Sequence, residues 1–204
     1  SASHYDESIR ETALYNYALC SYESNFSMFD RTISVFEQFL NDYPSSAYTD
    51  DINSRLADLY VNSRNYRTAL NSIDRIKLPS RDLLAARQQI LYLLGTEAFA
   101  DNRIPEAGDW FTQAVKAGNF APEYRARSLY WLGECCYRQG AYPQALQCYN
   151  NFLKSNIMTD ATTVSLAYYN IAYCQYEQKA YQEALSSFNR FLKRRGTEKL
   201  LRVD

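Results

Sequence analysis

Side chains able to do covalent or metal chemistry are few and scattered. The only histidine is His4. Five cysteines, Cys20, Cys135, Cys136, Cys148 and Cys174, include no C-x-x-C pair. A zinc site needs three or four such ligands at defined spacings. No metal or cofactor is therefore expected, and the cysteines read as small apolar core residues. The carboxylates of Asp50, Asp51 and Asp101 sit at turns, where capping a helix is their expected role. The run Lys193-Arg194-Arg195 closes an apolar-periodic stretch, where positive charge offsets the negative end of a helix dipole. No phosphate-cradling glycine loop, no H-E-x-x-H and no G-x-S-x-G occurs. The chain is not expected to be an enzyme.

The chemistry that the residue types do favour is non-covalent. Nineteen tyrosines stand in 204 residues, with ten phenylalanines and two tryptophans. Aromatic side chains anchor interfaces because they bury much area at low entropic cost. Their spacing is regular. Tyr92 and Phe99, Tyr130 and Tyr137, and Tyr169 and Tyr176 are each seven residues apart, hence on one helix face two turns apart. Tyr173 adds to this stripe, and Arg127, Trp131, Glu134 and Arg138 share its neighbourhood. The formal net charge of −1 argues against a nucleic-acid partner, which would require a basic patch. No apolar run is long enough to cross a bilayer, so no direct membrane insertion is expected.

The elements that hold these rings come from a repeat. "YRQGAYPQALQCYNNFL" (137–153) and "YEQKAYQEALSSFNRFL" (176–192) are nearly one phrase. Anchored on Ala145 and Ala184, the phrase steps back to Ala107, Ala69 and Thr32, at spacings of 37, 38, 38 and 39 residues. Four residues after each anchor stands Phe36, Ile73, Phe111, Tyr149 or Phe188. Twelve residues before each stands a small residue, Cys20, Ala57, Gly95, Gly133 or Ala172. Apolar residues recur at i, i+3, i+4 and i+7 in both halves of a copy, as in Leu129, Leu132, Gly133 and Cys136. Short polar turns join the halves. Pro105 and Pro143 fall in the first turn of each second helix, where the missing N–H has no intrahelical partner. Each copy is thus helix, tight turn, helix. Gly133 and Ala145 are the expected point of close approach between the two helices.

One hairpin cannot bury its own apolar faces; stacked copies can. The expected fold is an all-α solenoid of about five antiparallel hairpins. It spans 1–204 as one superhelical domain with copies at 13–49, 50–87, 88–125, 126–164 and 165–204. Asn16, Glu23 and Gln175 occupy usual core positions, so the end copies are less regular. The last copy leaves Tyr181, Leu185, Phe188 and Leu192 without a cap, and the chain closes on "KLLRVD". A piece of a longer array, or self-association through this end, is expected.

Leu132-Gly133, Tyr142, Ala145 and Tyr149 resemble the tetratricopeptide pattern L-G…Y-x-x-A-x-x-x-F/Y, and Pro44 falls where that family often places its terminal proline. The resemblance covers essentially the whole chain, with copies longer than the family's usual length of about 34 residues. The extra residues are expected in the links between copies. "FLNDYPSSAYTDDINSRLADLY" is also similar to repeats of bacterial envelope proteins, such as the periplasmic coordinator of the Tol–Pal system and the outer-membrane assembly lipoprotein. The compartment stays open, with a bacterial periplasm or cell envelope favoured over the cytoplasm.

In this family the first helices line the concave surface. The resemblance therefore implies a groove lined by Tyr92, Phe99, Arg127, Tyr130, Trp131, Tyr137, Arg138, Tyr169, Tyr173 and Tyr176. The family's clamp of Lys and Asn residues for a terminal carboxylate is not matched: its slots hold Tyr130, Trp131 and Glu134, or Tyr169, Asn170 and Tyr173. The leading expectation is a non-catalytic scaffold that binds a protein or peptide segment in this groove. A glycan-binding module and a structural spacer with all its rings internal are the alternatives.

Overall fold

The computed structural model describes residues 2–23, 29–62, 65–157 and 161–193. All of its regular structure among the described residues is helical: α1 (Ala2–Glu23), α2 (Phe29–Asp42), α3 (Thr49–Asn62), α4 (Tyr66–Ile73), α5 (Arg81–Ala100), α6 (Ile104–Lys116), α7 (Pro122–Arg138), α8 (Tyr142–Lys154), α9 (Ala161–Glu177) and α10 (Tyr181–Leu192). Odd and even helices are the first and second halves of the five sequence copies. Arg194, Arg195 and the closing KLLRVD lie outside the described residues. The chain divides into two compact units, 1–90 and 91–204, with the boundary inside α5.

In unit 91–204 each turn inside a hairpin is built alike. Asn102, Gly140 and Lys179 stand at one repeat position and adopt left-handed φ of 59°, 72° and 62°. The residue that follows closes the helix by donating its N–H to a carbonyl five residues back: Arg103 to Ala98 at 2.8 Å, Ala141 to Cys136 at 2.9 Å and Ala180 to Gln175 at 2.9 Å. This is the usual way to satisfy last-turn carbonyls. Gly140 takes the conformation without a Cβ penalty; Lys179 takes it at a cost of about 1 kcal/mol. Pro105 and Pro143 do fall in the first turns of α6 and α8. Asp101 does not cap: it pairs with Arg103 at 2.8 Å, and α6 has no side-chain cap. Asp50 and Asp51 lie in the first turn of α3, where negative charge suits the helix dipole.

The second-helix rings seat against glycine. A Cβ on Gly133 would stand 2.6 Å from the Tyr149 ring, and one on Gly95 would stand 2.6 Å from the ring of Phe111. Gly133, expected at the point of close approach, therefore faces the ring of Tyr149, four residues after Ala145. Two apolar clusters follow from this packing. One joins Ala98, Ile104, Ala107, Phe111 and Cys135. The other joins α7, α8 and α9 through Leu129, Tyr130, Tyr149, Phe152, Ala167, Ile171 and Cys174.

Unit 1–90 holds the same residue pattern with substitutions that change the bonding. Thr32 stands where the other copies have alanine; it is buried and donates its hydroxyl to the Ser21 carbonyl at 3.1 Å. Phe36, Phe39, Ile52, Leu56, Tyr60, Ile73 and Leu83 are among its fully buried side chains. Tyr15 stacks on Tyr48 with ring centroids 4.0 Å apart and donates to Asp51 at 3.2 Å. Asn16 and Glu23 are exposed, and so is Cys20, which corrects the expectation that all five cysteines are core. Cys135 and Cys174 are buried, while Cys136 and Cys148 are half-buried.

Candidate functional site

The aromatic stripe lies on α5, α7 and α9, the first helices of the last three copies, with all its residues inside unit 91–204. Direct contacts place α5 beside α7. Phe99 meets Trp131 edge-on with centroids 4.9 Å apart. Tyr92 meets Tyr124 at 5.5 Å. Arg138 lays its guanidinium over Phe99, 4.3 Å from the ring centroid. Phe99, Trp131 and Arg138 thus form one cluster, in which a cation–π contact fixes a long charged side chain. Arg127 is held separately: it pairs with Glu123 at 2.5 Å and lies 6.0 Å from the Tyr124 ring.

The other rings are seated by the second helix of their own hairpin. Tyr137 packs on Tyr142 at 5.5 Å, and Tyr176 on Tyr181 at 5.7 Å. Tyr169 and Tyr173 touch each other at 4.7 Å, and both rest on Phe188. Tyr92, Phe99, Trp131, Tyr137, Tyr169 and Tyr173 are half-buried, and Arg127, Arg138 and Tyr176 are exposed. Each half-buried ring keeps part of its surface open while its base is fixed.

Tyr130 differs from its companions. It is 8% exposed, edge-on to Tyr149 at 5.8 Å, to Phe152 at 5.5 Å and to Trp131 at 5.6 Å. Its ring belongs to the core and supports Trp131 from behind.

Residues of α7, α8 and α9 share a polar network that spacing alone did not identify as a unit. Glu134 on α7 accepts from the Tyr149 hydroxyl at 2.7 Å and from the Asn170 side-chain amide on α9. The same amide reaches the Tyr130 hydroxyl at 3.4 Å. Burial pushes the Glu134 carboxyl above its usual range, against the pull of the Tyr149 hydroxyl, Arg138, Asn170 and Tyr130. Burial, with Glu134 adjacent, likewise raises the Tyr149 phenol. The network ties α7, α8 and α9 together. One sequence signal pointed to it: Tyr149 occupies a slot that is Phe in three other copies, and a buried hydroxyl needs a partner.

A second surface is apolar and open. Tyr181, Leu185 and Leu192 on α10 are 57%, 57% and 56% exposed. Phe188 differs from the expectation, being half-buried under Tyr169 and Tyr173. Among the described residues no cluster of metal-ligating side chains is present, and no helix is long and apolar enough to cross a membrane.

Comparison with known families adds to this geometry. Two tetratricopeptide-repeat models match residues 12–46 and 54–122. A model for anaphase-promoting complex, cyclosome, subunit 3 matches residues 115–191. Among solved structures, BtubC (BKLC) from P. vanneervenii is similar in fold, with a TM-score of 0.50 at 16% identity over 96% of this chain and 85% of that one. YrrB, a TPR protein with an unusual peptide-binding site, has a TM-score of 0.48 at 17% identity over 97% and 94% of the two chains. MamA has a TM-score of 0.48 at 17% identity over 84% and 91%. No curated protein sequence matches the chain.

Proposed function

The chain belongs to the tetratricopeptide-repeat family, whose members act as protein-interaction scaffolds, and from that premise we propose that it binds an apolar segment of a protein partner along α5, α7 and α9. The observation that carries this reading is the repetition of half-open rings at equivalent positions of successive first helices: Phe99, Tyr137 and Tyr176, with Tyr92 and Tyr169 two turns before. Rings whose bases are already packed lose little entropy on binding. Trp131 and Tyr173 extend the surface between these rows. Arg138, exposed and stacked on Phe99, places positive charge beside apolar area and favours a segment that carries a carboxylate. Tyr130 contributes as the buried support of Trp131, and Arg127 as the outer edge.

Peptides selected from a displayed random library on the folded chain test this reading. The expected ligands are rich in Leu, Ile, Phe or Trp. Tyr137→Ala and Tyr176→Ala should each weaken them about tenfold or more, with the thermal midpoint little changed for the exposed Tyr176. Affinity should fall only modestly between low and high salt, since apolar burial dominates. Failure to enrich any peptide, indifference of the selected peptides to both substitutions, or retention of oligosaccharides on a glycan array in place of peptides would each overturn it.

A further inference from the structure

The α7–α8 hairpin places two half-buried thiols opposite each other. Cys136 stands three residues after Gly133 on α7, and Cys148 stands three residues after Ala145 on α8. The same two repeat positions meet in two other hairpins. Tyr60 and Ser72 are hydrogen-bonded. Ser187 donates to Gln175 at 2.8 Å. The facing register is therefore a property of the repeat, and only the fourth copy fills both positions with cysteine. The two thiols lie within hydrogen-bonding reach of each other. The neighbouring thiols differ: Cys135 and Cys174 are buried, and burial pushes both up to about 12.

We propose that Cys136 and Cys148 form a peroxide-sensitive dithiol that closes to a disulfide and staples α7 to α8 beside Tyr137. A hydrogen bond from the S–H of Cys148 stabilises a Cys136 thiolate and draws that thiol below its usual range, which favours the nucleophilic form. The thiolate attacks one oxygen of hydrogen peroxide. The O–O bond breaks, Cys136 becomes a sulfenic acid, and hydroxide leaves. Cys148 then attacks the Cys136 sulfur, the S–O bond breaks and the S–S bond forms. The Cys148 proton and one from solvent convert the two departing hydroxides to two waters. Peroxide is reduced and the two thiols are oxidised. A thiol reductant reverses the closure. The bond would close the loop 137–147, which restrains the unfolded chain, and would hold Tyr137 and Tyr142 in fixed register.

The test is mass spectrometry of the intact chain after treatment with hydrogen peroxide, followed by non-reducing tryptic mapping. The expected result is loss of two hydrogen atoms and a link between the peptide holding Cys135 and Cys136 and the peptide holding Cys148. The link should persist in Cys135→Ala and vanish in Cys136→Ser and Cys148→Ser. In Cys148→Ser the oxidation should stop at a dimedone-reactive sulfenic acid on Cys136. The oxidised wild-type chain should melt at a higher temperature than the reduced one, and dithiothreitol should abolish the difference. No link in the wild-type chain, a link that survives Cys136→Ser through Cys135, or a link to Cys174 would overturn the proposal.

Discussion

Two buried tyrosines, one in each unit, solve the same problem by different routes. Tyr60 is a first-helix residue of α3 and donates to Glu37 on α2, in the preceding copy; Ser72 on α4 also reaches it. Tyr149 is a second-helix residue of α8 and donates to Glu134 on α7, within its own copy. Both phenols are raised mainly by burial. What differs is what else the glutamate does. Glu134 also accepts from Asn170 of the next copy, so one carboxylate serves three helices. At Tyr60 a glutamate and a serine satisfy a core hydroxyl. The pairing with Glu134 shows the same chemistry extended across three helices.

That contrast makes a ranked set of predictions. Glu134→Ala leaves the Tyr149 hydroxyl and the Asn170 amide short of an acceptor in a partly dry site, and should cost about 2–4 kcal/mol in urea unfolding. Glu37→Ala removes one acceptor and should cost only about 1 kcal/mol. Equal losses would mean that the bond to Asn170 adds nothing. Gly133→Ala should cost about 1–3 kcal/mol, because its Cβ meets the Tyr149 ring at 2.6 Å. Gly108→Ala on α6 is the control: its Cβ would make an ordinary contact of 3.7 Å with Cys135, and it should gain up to about 1 kcal/mol from helix propensity. A destabilised Gly108→Ala would show that the backbone spacing, rather than the tyrosine ring, decides.

Tyr149→Phe should cost about 1–2 kcal/mol and Tyr60→Phe about 1 kcal/mol or less, since only the first strips a donor from a buried carboxylate. The smallest effect is in pH. Burial raises the Glu134 carboxyl in the folded chain, so the folded state holds that proton more tightly than the unfolded state. Its contribution is fully present below the ordinary carboxylate range and declines as pH rises through the raised value. Glu134→Gln should therefore gain on the wild type as pH rises from acid toward neutrality, read as the difference of two urea-unfolding series. A flat difference would remove burial as the dominant influence on this carboxyl.

The hairpins and their turns were legible in the residues because they are local. Periods of three and four give helices, and Pro105 and Pro143 mark where second helices begin. The glycine was legible as a small residue in a fixed slot, while the ring it faces, Tyr149, was not. Tyr130 shows the limit. Seven-residue spacing puts it on one face with Tyr137, but one helix's spacing does not say which neighbour covers that face. Phe152 and Tyr149 cover Tyr130, while Tyr142 leaves Tyr137 half open. The polar network escaped for the same reason: Glu134 and Asn170 are 36 residues apart, and nothing local joins them.

By itself the sequence determined a series of helical hairpins with aromatic first helices, since periodicity and turn chemistry act over a few residues. Only the tertiary structure decided which rings are sealed and which stay half open, and that Glu134 joins three helices. Those outcomes depend on the packing of side chains from different copies, where ångström differences in approach decide what is covered.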